Sequence, residues 1–156
     1  PTTPNADLSI LTLAQKRIYK QYRSIVKSSN LISEDIDDEK LHALRIECKK
    51  LRYLLEFFSS LFSRKKMNAL IEQLKKLQNK LGDFNDLCVQ QAYLLNISEE
   101  LPSTNQKNKR VLVAIGSLIG VLDRKKRVVK KGLFKAFTDF SSPVNERLFR
   151  ELFASK

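Results

Sequence analysis

The sequence predicts an all-α fold, an antiparallel four-helix bundle with a short extra C-terminal helix. Three observations carry this. Gly and Pro number only four each in 156 residues, long stretches contain neither, and apolar residues recur at steps of three and four along most of the chain. Sheets and their turns consume Gly and Pro, whereas a three-four rhythm lays apolar side chains along one helix face. Four long periodic stretches joined by short polar breaks make oppositely directed neighbours the default arrangement. With 42% hydrophobic residues the chain is long enough for one core without disulfides or metal, so residues 1–156 are read as a single helical domain.

Taken in order, the first helix is expected from about Asp7 to Ser28, with Asn5 or Asp7 as its cap. Ser28, Ser29 and Asn30 interrupt it, and the acidic run Glu34, Asp35, Asp37, Asp38 and Glu39 suits the positive end of a second helix. Leu41, Leu44, Cys48, Leu51, Leu55, Phe58 and Phe62 form its apolar stripe, closed by Ser63, Arg64, Lys65 and Lys66. A third stripe follows through Leu70, Leu74, Leu77, Leu81, Phe84, Cys88, Ala92 and Leu95. Its phase survives Gly82, which predicts one continuous helix with a place for close approach. Residues 101–108 read as a loop, and a fourth helix is expected from about Gln106 to Phe140. Ser141, Ser142 and Pro143 end that helix, and a short amphipathic helix from Val144 to Phe153 finishes the chain.

The charge is +12, an excess that costs self-repulsion in a compact state and points to an acidic partner. The surplus is uneven: residues 67–100 hold three basic and five acidic groups, whereas residues 101–156 hold thirteen and four. The two cysteines and single histidine lack metal-ligand or disulfide spacing, so no metal or cofactor is expected. Cys48 and Cys88 fall in apolar phase and read as small buried residues of a reducing compartment. No apolar run approaches the ~20 residues that span a bilayer, and no signal-peptide pattern opens the chain. A cytoplasmic location without membrane contact is therefore expected. The start at Pro1 rather than Met fits a processed chain or part of a longer one.

On the second helix His42, Arg45, Lys49 and Arg52 follow steps of three, four and three, each one residue after a core position, with Lys50 adjacent. Ten residues at ~1.5 Å rise span roughly 15 Å, a length that suits an extended anion better than one phosphate. Flanking charges whose stems cover the core edge are the plainer reading. Against it, Glu56 is the one acidic residue in register, Glu47 points elsewhere, and like charges at this spacing repel. The matching row of the third helix offers Lys75, Gln78, Gly82 and Asn85, which would complete a polar groove. Asp83 and Asp86 are placed to orient nearby cations. On the fourth helix Asp123 to Arg127 fill a full turn with charge, so Lys125 or Lys126 must occupy a core position. Either the helix overhangs there or it lines a wet, anion-filled cavity. Lys16, Arg17, Lys20, Arg23 and Lys27 give the first helix a basic face of its own, read as solvated surface.

The string His42-Ala43-Leu44-Arg45-Ile46-Glu47-Cys48-Lys49-Lys50-Leu51-Arg52-Tyr53 resembles the signature of CHAD domains, the conserved histidine α-helical domains. Leu77-Gln78, Leu81-Gly82 and Asn85-Asp86 resemble their second signature, at the separation the family shows. The resemblance implies an all-helical fold that binds inorganic polyphosphate through basic side chains. By position it implies His42, Arg45, Lys49, Lys50 and Arg52 as ligand-binding residues, with Lys75 as a neighbour. Lys76, Arg124 and Lys125 join them from the charge map alone. The family domain usually pairs two related halves, each with its own basic string. This chain has one, whose Lys-Lys-Leu-Arg-Tyr ending resembles the C-terminal half. That leaves a half-domain of a longer chain, or a homodimer that rebuilds the pair.

The leading expectation is thus a non-enzymatic polyphosphate-binding module acting by counterion replacement, with His42 as a pH-sensitive member of the row. RNA or DNA binding is the alternative; the charge permits it, but no reading helix, aromatic RNA signature or zinc knuckle is present. Phosphoryl chemistry with His42 as acid or nucleophile lacks a Gly-rich phosphate loop, and Asp83 with Asp86 makes a thin metal site.

Overall fold

The computed structural model describes residues 9–33 and 35–154. Among the described residues there are five α-helices and no strand: α1 (Ile10–Ser29), α2 (Asp38–Phe57), α3 (Arg64–Glu100), α4 (Gln106–Phe140) and α5 (Pro143–Phe153). The protein is all-helical.

Local chemistry sets most boundaries. Ser9 caps α1, its Oγ accepting from the Thr12 amide at 3.1 Å; the expected cap residues Asn5 and Asp7 lie outside the described residues, as does Glu34. Asp38 and Glu39 occupy the first turn of α2, where the helix dipole favours acids. That helix ends earlier than its apolar stripe. Phe57 is its last residue, and a single 3-10 turn (Ser59–Leu61) carries the chain past buried Phe58 to half-buried Phe62. Ser63 to Lys66, expected to close α2, instead begin α3, with Ser63 as its N-cap. The third helix runs unbroken through Gly82. Asn105 caps α4 through its Oδ1, which accepts from the Asn108 amide at 2.8 Å. Ser142 and Pro143 start α5 in the usual cap-then-proline order.

Helix α1 packs on α2, α2 on α3 and α3 on α4, while α5 folds back chiefly onto α1 rather than α4. Arg52 meets Gln78, His42 meets Phe84 and Asp38 meets Cys88, so α2 and α3 run in opposite directions. An aromatic cluster fills the core where α1, α5 and the end of α4 meet. There Tyr22 stacks on Phe149 at 3.8 Å between ring centroids, and Phe140 meets both rings edge-on. Burial, with Glu146 and Tyr19 nearby, pushes the Tyr22 phenol up to about 12.

With 37 and 35 residues, α3 and α4 are nearly twice as long as the 20-residue α1 and α2. The difference, at ~1.5 Å per residue, is roughly 25 Å of paired helix beyond the body. In that part of α3 the buried phase shifts. Ala92 and Leu95 were expected in the core, but both are exposed, and Gln91 is buried instead. Past Cys88 the helix has no α2 beside it and faces α4, so a different side is covered. The matching part of α4 buries Ile115 and Leu122 while Val113 and Leu118 stay exposed.

Candidate polyanion-binding site

Six residues of α2, Asp38, His42, Arg45, Lys49, Arg52 and Glu56, follow steps of four, three, four, three and four. They form one stripe with an acid at each end. Both acids are occupied. Glu56 accepts from Arg52 Nε at 3.0 Å, and Asp38 is bound from α4 by Lys126 at 2.6 Å and Lys130 at 2.8 Å. Between them, His42, Arg45 and Lys49 have no carboxylate within 4.0 Å among the described residues. Glu47 points to the other side of α2, where Gln21 donates to it at 2.7 Å.

Helix α3 supplies the facing wall. Arg52 Nη1 donates to Gln78 Oε1 at 3.0 Å, fixing the register. The His42 ring lies 5.7 Å from that of Phe84. Lys75 extends the wall at one end and is paired with Glu72 at 3.2 Å. Between these contacts lies Gly82. A Cβ built there meets nothing within 4 Å among the described residues, so none of their helices packs against that point. The result is an open strip with cations on one wall and amides with bare backbone on the other. His42, Arg45 and Arg52 are half-buried and Lys49 is exposed. Partial burial strengthens interaction with an anion relative to bulk water.

Of the nine residues singled out in the sequence, the structure brings five to this strip: His42, Arg45, Lys49, Arg52 and Lys75. The other four lie elsewhere. Lys50 faces α1 and sits 3.8 Å from Glu47. Lys76 lies between α3 and α4 with Lys80 and Lys135. Arg124 and Lys125 line a recess of about 520 Å³ with Asp83 and Asp86. Those two aspartates make no ion pair within 4.0 Å among the described residues.

The charged turn of α4 turns one of the two lysines expected in core phase inward, but toward an acid of the protein itself. It is Lys126 that takes the inward position, its side chain only 12% exposed. The anion beside it is the protein's own Asp38. Lys126 also donates to Gln91 Oε1 at 3.0 Å, Gln91 donates to Asp123 at 2.6 Å, and Lys130 donates to the Ile36 carbonyl at 2.9 Å. Both ammonium groups lie 5.7 Å from the centre of the Phe84 ring. Burial pushes the Asp38 carboxyl up, but the hydrogen bonds and charges of Lys126 and Lys130 outweigh it. The group ends below its ordinary value. Sequence reasoning missed this cluster. The available signals were Asp38, one turn before His42 on the same stripe, and a lysine forced into core phase.

Both cysteines are free; burial pushes the Cys48 thiol up to about 12 and raises that of Cys88 as well. Among the described residues, no three of His, Cys, Asp or Glu gather as a metal site, and no helix is long and apolar enough to cross a membrane.

An all-helical protein with a strip of uncompensated cations beside a histidine defines a class of basic helical module. The sequence model of the CHAD domain matches residues 1–95, which hold α1, α2 and most of α3 with the whole strip. The chain belongs to the CHAD domain family. No curated protein sequence matches it.

Proposed function

We propose that this protein binds inorganic polyphosphate along the α2–α3 strip and performs no chemistry on it. The observation that carries the reading is the run His42, Arg45 and Lys49, which among the described residues has no carboxylate partner, while Arg52, Lys126 and Lys130 at its two ends are paired. Such a row repels itself at helical spacing. A polyanion relieves the repulsion and releases counterions, so binding weakens steeply with salt. Arg52, held by Gln78 and Glu56, is preorganised at the end of the row, and the open space over Gly82 admits the polymer's backbone. Family membership supports the ligand, since CHAD domains are associated with polyphosphate.

The finer architecture we read as an antiparallel bundle, on the opposite directions of α2 and α3. Two free cysteines support a reducing, cytoplasmic setting. A homodimer that places two strips side by side would lengthen the site; sedimentation with and without polyphosphate measures this directly.

The deciding experiment titrates labelled polyphosphate into the protein at two salt concentrations, with a mass-matched single-stranded RNA alongside. Tight, salt-sensitive polyphosphate binding that Arg45→Ala/Lys49→Ala weakens by about a hundredfold, with weaker RNA binding, is the expected result. Binding that survives the double substitution removes the strip as the site. RNA that resists displacement by polyphosphate favours a nucleic-acid module instead.

A further inference from the structure

On the other side of α2 lies a second basic feature, of different chemistry. Leu13, Arg17, Lys20 and Ser24 recur along α1 at steps of four, three and four; Ile46, Lys50, Tyr53 and Phe57 do the same along α2. Except for Ile46, these residues line a groove of about 840 Å³ between the two helices, with half-buried Leu54 in it and Lys16 on the α1 side. Phe57 is 79% exposed and Tyr53 55%, large values for aromatic side chains. Lys16, Arg17 and Lys20 have no carboxylate within 4.0 Å among the described residues. Glu47, the acid nearest the groove, is taken up by Gln21 at 2.7 Å and Ser24 at 3.4 Å.

We propose that this groove docks an acidic amphipathic helix of a partner protein. Ridges at three-four spacing on both walls accept the side-chain rows of a third helix. Leu13, Leu54 and Phe57 offer an apolar seat for its anchors, and the flanking lysines and arginine match carboxylates on its sides. The groove runs from Leu13 to Ser24, roughly 16 Å or three helical turns. Polyphosphate has no apolar surface to set against Phe57 and Leu54. Single-stranded nucleic acid fits less well than a helix. Lys49 already lies 5.9 Å from the Tyr53 ring centre, Phe57 packs edge-on to Phe58 at 4.8 Å, and the Gln21 amide, the group placed to read a base, is spent on Glu47. The proposal is independent of the α2–α3 strip.

The test pans a phage library of 18-residue helix-forming peptides on the intact protein, with a Phe57→Ala variant as counter-target. Enriched peptides are expected to carry apolar residues at i, i+3 or i+4, and i+7 flanked by Asp or Glu. A labelled synthetic copy of the best one should bind at least tenfold more weakly to Phe57→Ala and to Lys16→Glu/Lys20→Glu. Phe57→Ala should leave polyphosphate binding unchanged, which separates this site from the strip. Peptides that are neutral or basic, that bind Phe57→Ala equally well, or that fail to enrich at all overturn the proposal. A labelled oligouridine whose binding depends on Phe57 also overturns it and reassigns the groove to nucleic acid.

Discussion

The cations of α2 and those of α4 are the same kinds of residue at similar helical spacing, yet the fold uses them differently. Lys126 and Lys130 point inward, share one carboxylate and cover the face of Phe84. Their charge is consumed within the molecule, and they tie α4 to the start of α2. Arg45 and Lys49 lie on the same α2 stripe as Asp38, two and three turns further on, and receive no such partner. What separates the two sets is geometry: Lys126 and Lys130 reach from α4 to Asp38 at the start of α2, but among the described residues no carboxylate reaches the middle of the strip. Density of positive charge is therefore a poor guide to a binding site. The informative quantity is charge that is left over after the protein's own carboxylates are assigned and that is also gathered in one row.

The largest expected effect that sharpens this contrast is Arg45→Ala/Lys49→Ala. Polyphosphate affinity should fall about tenfold per side chain, with the salt dependence shallower by about one contact for each. Thermal stability should not fall, because neither residue has an ion pair to lose. Asp38→Asn should do the reverse. Breaking a fully buried pair costs about 3–5 kcal/mol, but the Asp38 side chain is 36% exposed and solvent screens part of that. A loss of about 2 kcal/mol, or roughly 4–8 °C in melting temperature for a chain of this size, is expected. Polyphosphate binding well below the melting point should persist. An Asp38→Asn protein that keeps its stability would place Lys126 and Lys130 among the free cations.

Acid should erase that same difference. The folded Asp38 carboxyl sits below its ordinary value, so its contribution is fully present above the unfolded value near 4 and is lost as pH falls through the lower folded one. Urea denaturation of wild type and Asp38→Asn should show a constant gap from about pH 7 to pH 5 that closes below that range. The smallest effect belongs to Gly82. Since a Cβ there meets nothing, Gly82→Ala should stabilise α3 by about 0.5–1 kcal/mol in thermal melts. If it also weakens polyphosphate, the polymer lies directly against the Gly82 backbone; unchanged binding places it nearer the α2 wall.

The boundaries of α4 were legible because Asn105 and Ser141 with Pro143 are chemical punctuation at either end. The continuity of α3 through Gly82 was legible because the apolar phase did not change there. The junction of α2 and α3 was not. Phe58 and Phe62 keep the apolar rhythm of α2 even though the chain turns between them, so periodicity alone cannot see the break. Ala92 and Leu95 misled for a related reason: the pattern of α3 was set by two neighbours before Cys88 and by one after it. In the strip, the row itself and the lack of acids in register between His42 and Lys49 were readable from spacing, whereas Asp38 at its start was overlooked. That Lys50 belongs to the opposite side was also implicit in its helical angle, but only the position of α1 gave that side a meaning.

By itself, the sequence determined an all-helical chain, the order of its helices, the basic row on α2 and its family, because these depend on periodicity, capping and composition, which are local. Only the tertiary structure decided which cations are neutralised. Asp38 and Lys126 are 88 residues apart along the chain, and no local rule pairs them. The same holds for the space at Gly82 and the groove between α1 and α2, which exist only because of where neighbouring helices lie or stop.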